Sequence, residues 1–145
     1  MHRASCLCGG VVMTAGVLEG PYVLCHCQSC RKASGSAYGA NIAVPQDQFE
    51  IVQGETLVRT FESSPGKVRH FCGHCGTPLF TRVVESSEYV RLRLGILDTE
   101  LAEQPTAQIF TADRAPWHTL DESLKCYDAW PDAEAIRIPG SNQSR

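Results

Sequence analysis

Alternation of apolar and polar side chains marks short strands along this chain. The clearest case is residues 89–94, where Val90, Leu92 and Leu94 alternate with Tyr89, Arg91 and Arg93. A period of two places the apolar side chains on one face of a strand and the polar ones on the other. We therefore predict a strand with one face in the core.

Other segments share this β-rich character. Residues 56–62 and 68–72 flank a Ser-Ser-Pro-Gly turn at 63–66 and predict a hairpin. Further predicted strands are 10–15, 22–26, 40–44, 48–52, 79–84 and 107–110. No window has a long 3.6-residue period, and only 28–34 is expected to form a helical turn. The fold class predicted is all-β.

Length and composition bound the remaining possibilities. The 145 residues suit one domain, which we expect to span 1–137, with 138–145 as a frayed polar tail. Apolar residues make up 43% of the chain, too many for a disordered segment, yet no apolar run is long enough to span a membrane. The net charge of −3 and the absence of a basic run predict no nucleic-acid partner. The absence of a long apolar run predicts no membrane partner.

Cysteine is the most informative residue type. Seven of the eight cysteines fall into three tight groups: Cys6 and Cys8; Cys25, Cys27 and Cys30; Cys72 and Cys75. The N-terminus has no signal-peptide pattern, so we expect a reducing cytoplasmic location, where closely spaced cysteines bind metal rather than form disulfides. Thiolate ligands without ferredoxin-type spacing favour Zn²⁺.

Seven cysteine ligands are enough for one zinc site of four ligands and a second site of three. A four-thiolate zinc site is structural, whereas three protein ligands with an open position are typical of a catalytic one. Spacing leaves two groupings open. Cys27 and Cys30 could join Cys72 and Cys75 in a ribbon-like site. Alternatively, Cys6 and Cys8 join that second pair and leave a triad on one continuous segment, which favours this grouping.

Five segments then identify a family resemblance. They are CLCGG at 6–10, CHCQSCRKASG at 25–35, SSPG at 63–66, RHFCGHCGTPLF at 69–80 and APW at 115–117. In order and spacing they resemble the glutathione-dependent formaldehyde-activating enzyme family, which includes centromere protein V-like proteins. The resemblance spans roughly residues 4–131.

The resemblance implies an all-β, zinc-stabilised fold shared with methionine-R-sulfoxide reductases and a Rab exchange-factor family. It implies two zinc ions per chain. The structural ion would be bound by Cys6, Cys8, Cys72 and Cys75, and the catalytic ion by Cys25, Cys27 and Cys30. It further implies a carbon–sulfur lyase or synthase acting on glutathione adducts of small aldehydes, such as S-hydroxymethylglutathione. A non-catalytic zinc module that binds a thiol ligand or a protein is the alternative.

Several residues near these motifs are candidates for contacts with glutathione. Arg31 and Lys32 follow the triad and could bind a carboxylate of glutathione, and Tyr38 could line the same pocket. No general base is evident, and His118 is the one remote candidate. Cys126 is expected to be a small buried side chain, with a redox thiol or mobile fourth ligand as the functional alternative.

Overall fold

The computed structural model describes residues 1–143, which form eleven strands and one α-helix joined by loops and short 3₁₀ turns. In chain order these elements are β1 (His2–Ser5), β2 (Val12–Ala15), β3 (Glu19–Cys25), α1 (Gln28–Ser34), β4 (Gly39–Pro45), β5 (Phe49–Gln53), β6 (Val58–Ser64), β7 (Lys67–Cys72), β8 (Pro78–Val83), β9 (Tyr89–Arg93), β10 (Ala107–Ile109) and β11 (Lys125–Cys126). The predicted all-β class is confirmed.

The strands form two sheets. The smaller sheet has the antiparallel order β1-β2-β5, and the larger has the order β11-β10-β3-β4-β9-β8-β7-β6. Pairing in the larger sheet is antiparallel from β3 to β6, whereas β10 runs parallel to both β3 and β11. Within the described residues, no helix combines the length and apolar character that crossing a bilayer requires.

The hydrophobic core lies between the two sheets. Ile42, Val44, Val90 and Leu92 point from the larger sheet into one buried cluster with Met13 of the smaller sheet. Each of these side chains is at most 1% exposed, and burial of one such side chain contributes about 1.5–3 kcal/mol. This face of the larger sheet therefore holds the two layers together.

The opposite face of the larger sheet is polar and is also covered. The strand register places Cys25 beside Gly39, Asn41 beside Arg93, Arg91 beside Thr81, and Thr81 beside Arg69. The alternation predicted for β9 is present, since Val90 and Leu92 belong to the core whereas Arg91 and Arg93 face the other way. Both arginines are nevertheless only 7% exposed.

A few predicted elements differ from the structure. β1 and β11 were not predicted, because each is short and lacks a run of β-branched residues. Leu94 begins a 3₁₀ turn after β9 instead of continuing it. The helical turn predicted for 28–34 is α1.

The C-terminal segment does not match the frayed tail expected from residue 138. Ile138 is 4% exposed and packs against Val23 and Ile109. Arg91 Nη1 donates to the Pro139 carbonyl at 3.0 Å, and Ser86 Oγ donates to the Ser141 carbonyl at 3.0 Å. The polar composition of the segment does not reveal this attachment. The hydrogen bonds are accepted by backbone carbonyls, which every residue has. Residues 144 and 145 lie outside the described part of the chain.

Candidate metal centres and the adjoining cavity

Four cysteines from two distant loops form one cluster. Cys6 and Cys8 lie in the β1–β2 loop, Cys72 and Cys75 lie at the β7–β8 turn, and the four sulfur atoms are within 4.8 Å of one another. The Cys6–Cys8 and Cys8–Cys72 sulfur distances are 3.5 and 3.9 Å. Tetrahedral zinc with bonds of about 2.3 Å separates its sulfur ligands by about 3.8 Å. The donor set therefore fits Zn²⁺.

Backbone groups position these sulfurs. The amide of Val11 donates to Cys6 Sγ at 3.2 Å, and that of Gly10 donates to Cys8 Sγ at 3.4 Å. Gly9 and Gly76 have positive φ angles of 75° and 79°, which turn the chain sharply beside the ligands. N–H donors of this kind stabilise thiolate charge and orient the ligands around a metal.

The second cluster comes from one continuous segment. Cys25 ends β3, Cys27 is the N-cap of α1, and Cys30 lies in the first turn of the helix; their sulfur atoms lie within 4.8 Å of one another. The Cys30 amide donates to Cys27 Sγ at 3.3 Å. The structure thus brings together the grouping that the continuous triad favoured, and the ribbon-like alternative does not form.

His26 lies between two triad residues, but its ring is directed elsewhere. Its Nε2 is 3.0 Å from Gln108 Oε1, and the ring is completely buried against Tyr38 and His118, with centroids 5.5 and 5.6 Å away. Burial lowers the pKa of His26 and favours the neutral ring. The histidine therefore anchors the triad loop to β10 rather than adding a ligand.

Cationic side chains surround the triad. Hydrogen bonds from Cys25 and Cys27 lower the pKa of Cys30 to about 2, and the charges of Lys67 and Arg69 act in the same direction. Burial lowers the pKa of Arg91 to about 10, and the charges of Cys25 and Cys30 oppose that effect. Hydrogen bonds with Cys27 and Cys30 raise the pKa of Cys25, and the pKa of Cys27 is raised as well. Without a metal, the negative charge of the triad therefore rests on Cys30, opposite a positively charged sheet face.

Two cavities adjoin this region. The larger, of about 410 Å³, lies between α1 and the polar face of the sheet and is bordered by Lys32, Ser63, Arg69, His70 and Arg93, with Phe61, Phe71, Phe80 and Pro78 as apolar walls. The smaller, of about 50 Å³, borders Cys25 and Cys30 directly. Arg69 and Thr81 line both cavities, so the larger one adjoins the triad region through them.

The structure separates the three predicted glutathione contacts. Lys32 lines the larger cavity. Arg31 instead borders an open cavity of about 270 Å³ beside Trp117. Tyr38 lines a third surface near Ser34 and packs on His26. Arg69 and Arg93 also line the larger cavity, although the cysteine motifs did not point to them. The sequence signal for both is the alternation of side chains along β7 and β9.

Two other expectations need correction or remain open. Cys126 is exposed rather than buried, because it lies on the two-residue edge strand β11. It does accept a hydrogen bond from Gln108 Nε2 at 3.6 Å. His118 contacts the rings of His26 and Tyr38, and no contact with the triad sulfurs is present within the described residues.

Comparisons with known proteins place this geometry in a family. The family model described as glutathione-dependent formaldehyde-activating enzyme matches residues 1–113. A Halomonas elongata protein named "Putative glutathione-dependent formaldehyde-activating enzyme" is 28% identical over 142 residues, covering 90% of this chain and 88% of the relative. An uncharacterized lyase of Schizosaccharomyces pombe is 30% identical over 79 residues, covering 54% of this chain and 56% of the relative.

A solved structure supports the fold. The crystal structure of a Rhodobacter sphaeroides protein matches with a TM-score of 0.60 and 19% identity, covering 71% of this chain and 97% of that protein. The family model covers well over half of the chain, including all seven clustered cysteines. The chain belongs to the glutathione-dependent formaldehyde-activating enzyme family.

Proposed function

We propose that this protein is a zinc-dependent carbon–sulfur lyase or synthase that acts on glutathione adducts of small aldehydes, of the S-hydroxymethylglutathione type. The name of its family and the lyase named among its relatives support this activity. Cys25, Cys27 and Cys30 would hold the catalytic zinc, and Cys6, Cys8, Cys72 and Cys75 the structural zinc, in a protein of the cytoplasm.

The observation that carries the proposal is the position of the cationic cavity beside a three-thiolate cluster. A zinc ion with three protein ligands keeps one open position, and there it supplies a site where a thiol binds as thiolate. The 410 Å³ cavity is within the range of small-molecule sites. Glutathione is an anionic thiol, so its charge matches the lining and its sulfur matches the open position.

The protein's own side chains would bind and orient glutathione. Lys32, Arg69 and Arg93 present cationic groups to the cavity, where they would pair with its two carboxylates. Arg31, at the neighbouring open cavity, would reach only a part of the ligand that extends beyond α1. Tyr38 would act through His26, since it does not line the larger cavity.

The reaction itself is an addition and its reverse. In the synthetic direction the glutathione sulfur bonds to the aldehyde carbon, the carbonyl π electrons move to oxygen, and the thiol proton ends on that oxygen. Holding the two reactants in contact lowers the entropic part of the barrier. No carboxylate lines either cavity beside the triad among the described residues, so the expected contribution is positioning and charge stabilisation rather than proton transfer by a strong base.

That missing carboxylate also favours a second candidate, a zinc module that binds a thiol without catalysis. The test is the rate at which formaldehyde and glutathione exchange with S-hydroxymethylglutathione, measured by exchange NMR with ¹³C-formaldehyde. We expect the zinc-loaded protein to accelerate exchange, Cys30→Ser to abolish the acceleration while keeping its fold, and Cys126→Ser to match the parent protein. Binding of glutathione without acceleration would support the module and contradict the enzyme.

A further inference from the structure

A further cavity continues from the larger one at the C-terminal end of α1. It measures about 300 Å³, and it is lined by Ser34, Tyr38, Ala40, Pro78, Arg93, Gly95 and Ile96. Pro78 and Arg93 line both cavities, so the two adjoin at these residues. Most of its lining is apolar, and we refer to it as the apolar cavity.

The lining of the apolar cavity does not match glutathione. Among the described residues that border it, Arg93 is the only charged one, whereas the larger cavity also presents Lys32 and Arg69. The Ser34 hydroxyl already has a partner, since its Oγ donates to the Tyr38 carbonyl at 3.0 Å. Glutathione has a charged group at each end and no apolar group beyond short methylene stretches. Its binding therefore gives the apolar cavity no matching group.

The apolar cavity ends close to the thiol triad. Gly39 lies between Tyr38 and Ala40, which both line the cavity. A Cβ at Gly39 would lie 3.6 Å from Cys30 Sγ and 2.8 Å from Arg93 Nη1. Because Gly39 has no side chain, only its backbone separates Cys30 from this part of the cavity. A group bonded to a thiol at the triad is therefore near the entrance.

The size of the apolar cavity fits a carbon chain or a ring. A cavity of about 150 Å³ accommodates benzene. The apolar cavity, at about 300 Å³, has room for a phenyl ring or for a chain of about six carbons. Pro78 and Ile96 would contact such a group, and contact with apolar side chains removes its surface from water.

We propose that the apolar cavity binds the carbon chain or ring of an aldehyde adduct, so that adducts of apolar aldehydes such as hexanal are preferred to the adduct of formaldehyde. This inference rests on the proposed function and extends its substrate class. The chemistry is the same addition: sulfur bonds to the aldehyde carbon, the carbonyl π electrons move to oxygen, and the thiol proton ends on that oxygen. The carboxylates of glutathione stay in the larger cavity, and the chain enters the apolar one.

Stable thioethers test the binding step without turnover. S-hexylglutathione and S-methylglutathione carry the same peptide and differ in the length of the carbon chain. We expect the zinc-loaded protein to bind S-hexylglutathione at least 10-fold more tightly by titration calorimetry, since each buried methylene group strengthens binding about fourfold. Equal dissociation constants would overturn the apolar cavity as the site of the chain.

Gly95→Leu tests the location. Gly95 lines the apolar cavity, and a Cβ there meets no atom within 4 Å, so a side chain can occupy this space without a clash. We expect Gly95→Leu to lose the preference for S-hexylglutathione, while its dissociation constant for S-methylglutathione stays within twofold of the parent value.

The matched control is Ala102→Leu, which adds apolar bulk at an exposed position outside the apolar cavity. It should keep the full preference. The parent preference in Gly95→Leu, or an equal loss in both variants, would overturn the location. So would a dimer of the parent protein that Gly95→Leu dissociates in sedimentation, because a second copy of the chain would then occupy the cavity.

The inference and the proposed function can fail separately. We expect exchange of hexanal with glutathione to be accelerated at least 10-fold more than exchange of formaldehyde. If formaldehyde exchange is accelerated but the two thioethers bind equally, the lyase activity stands and the role of the apolar cavity is overturned. If S-hexylglutathione binds more tightly but neither aldehyde exchanges faster, the lyase activity is wrong and the cavity is supported as a binding site for apolar conjugates.

Discussion

The face of β9 on which Arg91 and Arg93 lie could be predicted from the sequence, but the burial of their side chains could not. Their alternation with Val90 and Leu92 correctly places them on the non-core face of β9. Alternation normally indicates a solvent-exposed polar face. Here α1 and the C-terminal segment also cover that face, so both guanidinium groups are buried beside the thiol triad. The two-residue alternation within β9 cannot show that segments distant in the sequence will cover its polar face.

The cysteines behave differently, because their spacing carries most of the information. Three cysteines within six residues can approach one another without help from the rest of the chain, and the structure confirms that they do. Which pairs complete the four-cysteine cluster depends on the β7–β8 turn meeting the β1–β2 loop. That contact is tertiary and could not be derived from the spacing of either pair.

At the residue scale, Arg93→Met should weaken glutathione binding. Arg93 lines the larger cavity, and its side chain makes no hydrogen bond within the described part of the chain, which leaves the guanidinium group available to a ligand. A charge-assisted hydrogen bond contributes about 1.5–3 kcal/mol, so the dissociation constant should rise about 10-fold to 100-fold by titration calorimetry.

The control for that variant is Arg59→Met, which removes the same charge from an exposed position on β6 outside the cavity. Glutathione binding to this control should stay within twofold of the parent value. Equal weakening in both variants would mean that net charge, rather than contact with Arg93, governs binding.

At the element scale, most strands were predictable and the shortest were not. β6 and β7 follow from β-rich runs around a Pro-Gly turn, and Gly66 there has a φ of 78°. β11 has only two residues and depends on parallel pairing with β10. The C-terminal segment was predicted to fray because it is polar, but Arg91 and Ser86 bind its backbone carbonyls. Its attachment comes from those partners, not from its own composition.

Gly54, in the turn after β5, lies against the β1–β2 loop that carries Cys6 and Cys8. Its φ is 78°, and a Cβ there would lie 2.0 Å from the Gly10 carbonyl oxygen. Gly54→Ala should therefore strain the backbone beside Cys8 and lower the free energy of unfolding by about 1–3 kcal/mol or more in denaturant titrations.

Gly95→Ala provides the comparison. A Cβ at Gly95 meets no atom within 4 Å, and no positive φ is involved. Its unfolding free energy should remain within about 0.5 kcal/mol of the parent value. A Gly54→Ala protein as stable as Gly95→Ala would show that the loop yields easily and does not constrain the cluster.

At the scale of the whole molecule, the four-cysteine cluster ties the small sheet to the large one. Cys6 and Cys8 follow β1, whereas Cys72 and Cys75 join β7 to β8. A metal bound by all four crosslinks segments that are more than sixty residues apart in the chain. Because metal binding of this kind contributes directly to folding, we expect strong chelation to unfold the domain.

Chelation is expected to lower the midpoint of thermal unfolding by about 10 °C or more, as followed by circular dichroism. Adding Zn²⁺ back should restore the parent curve. Cys30→Ser should show the same loss on chelation, since its four-cysteine cluster is intact. A chelated protein with an unchanged melting curve would contradict a structural metal.

The proposed function depends on the division of seven cysteines into a structural zinc site of four ligands and an open zinc site of three. The most direct measurement is zinc content per chain, by elemental analysis of protein purified without chelator, for the parent and Cys30→Ser, with and without glutathione. We expect two zinc ions in the parent, one of them readily removed by a competing chelator but protected by glutathione, and one in Cys30→Ser. A single tightly bound zinc in both proteins, unaffected by glutathione, would contradict it.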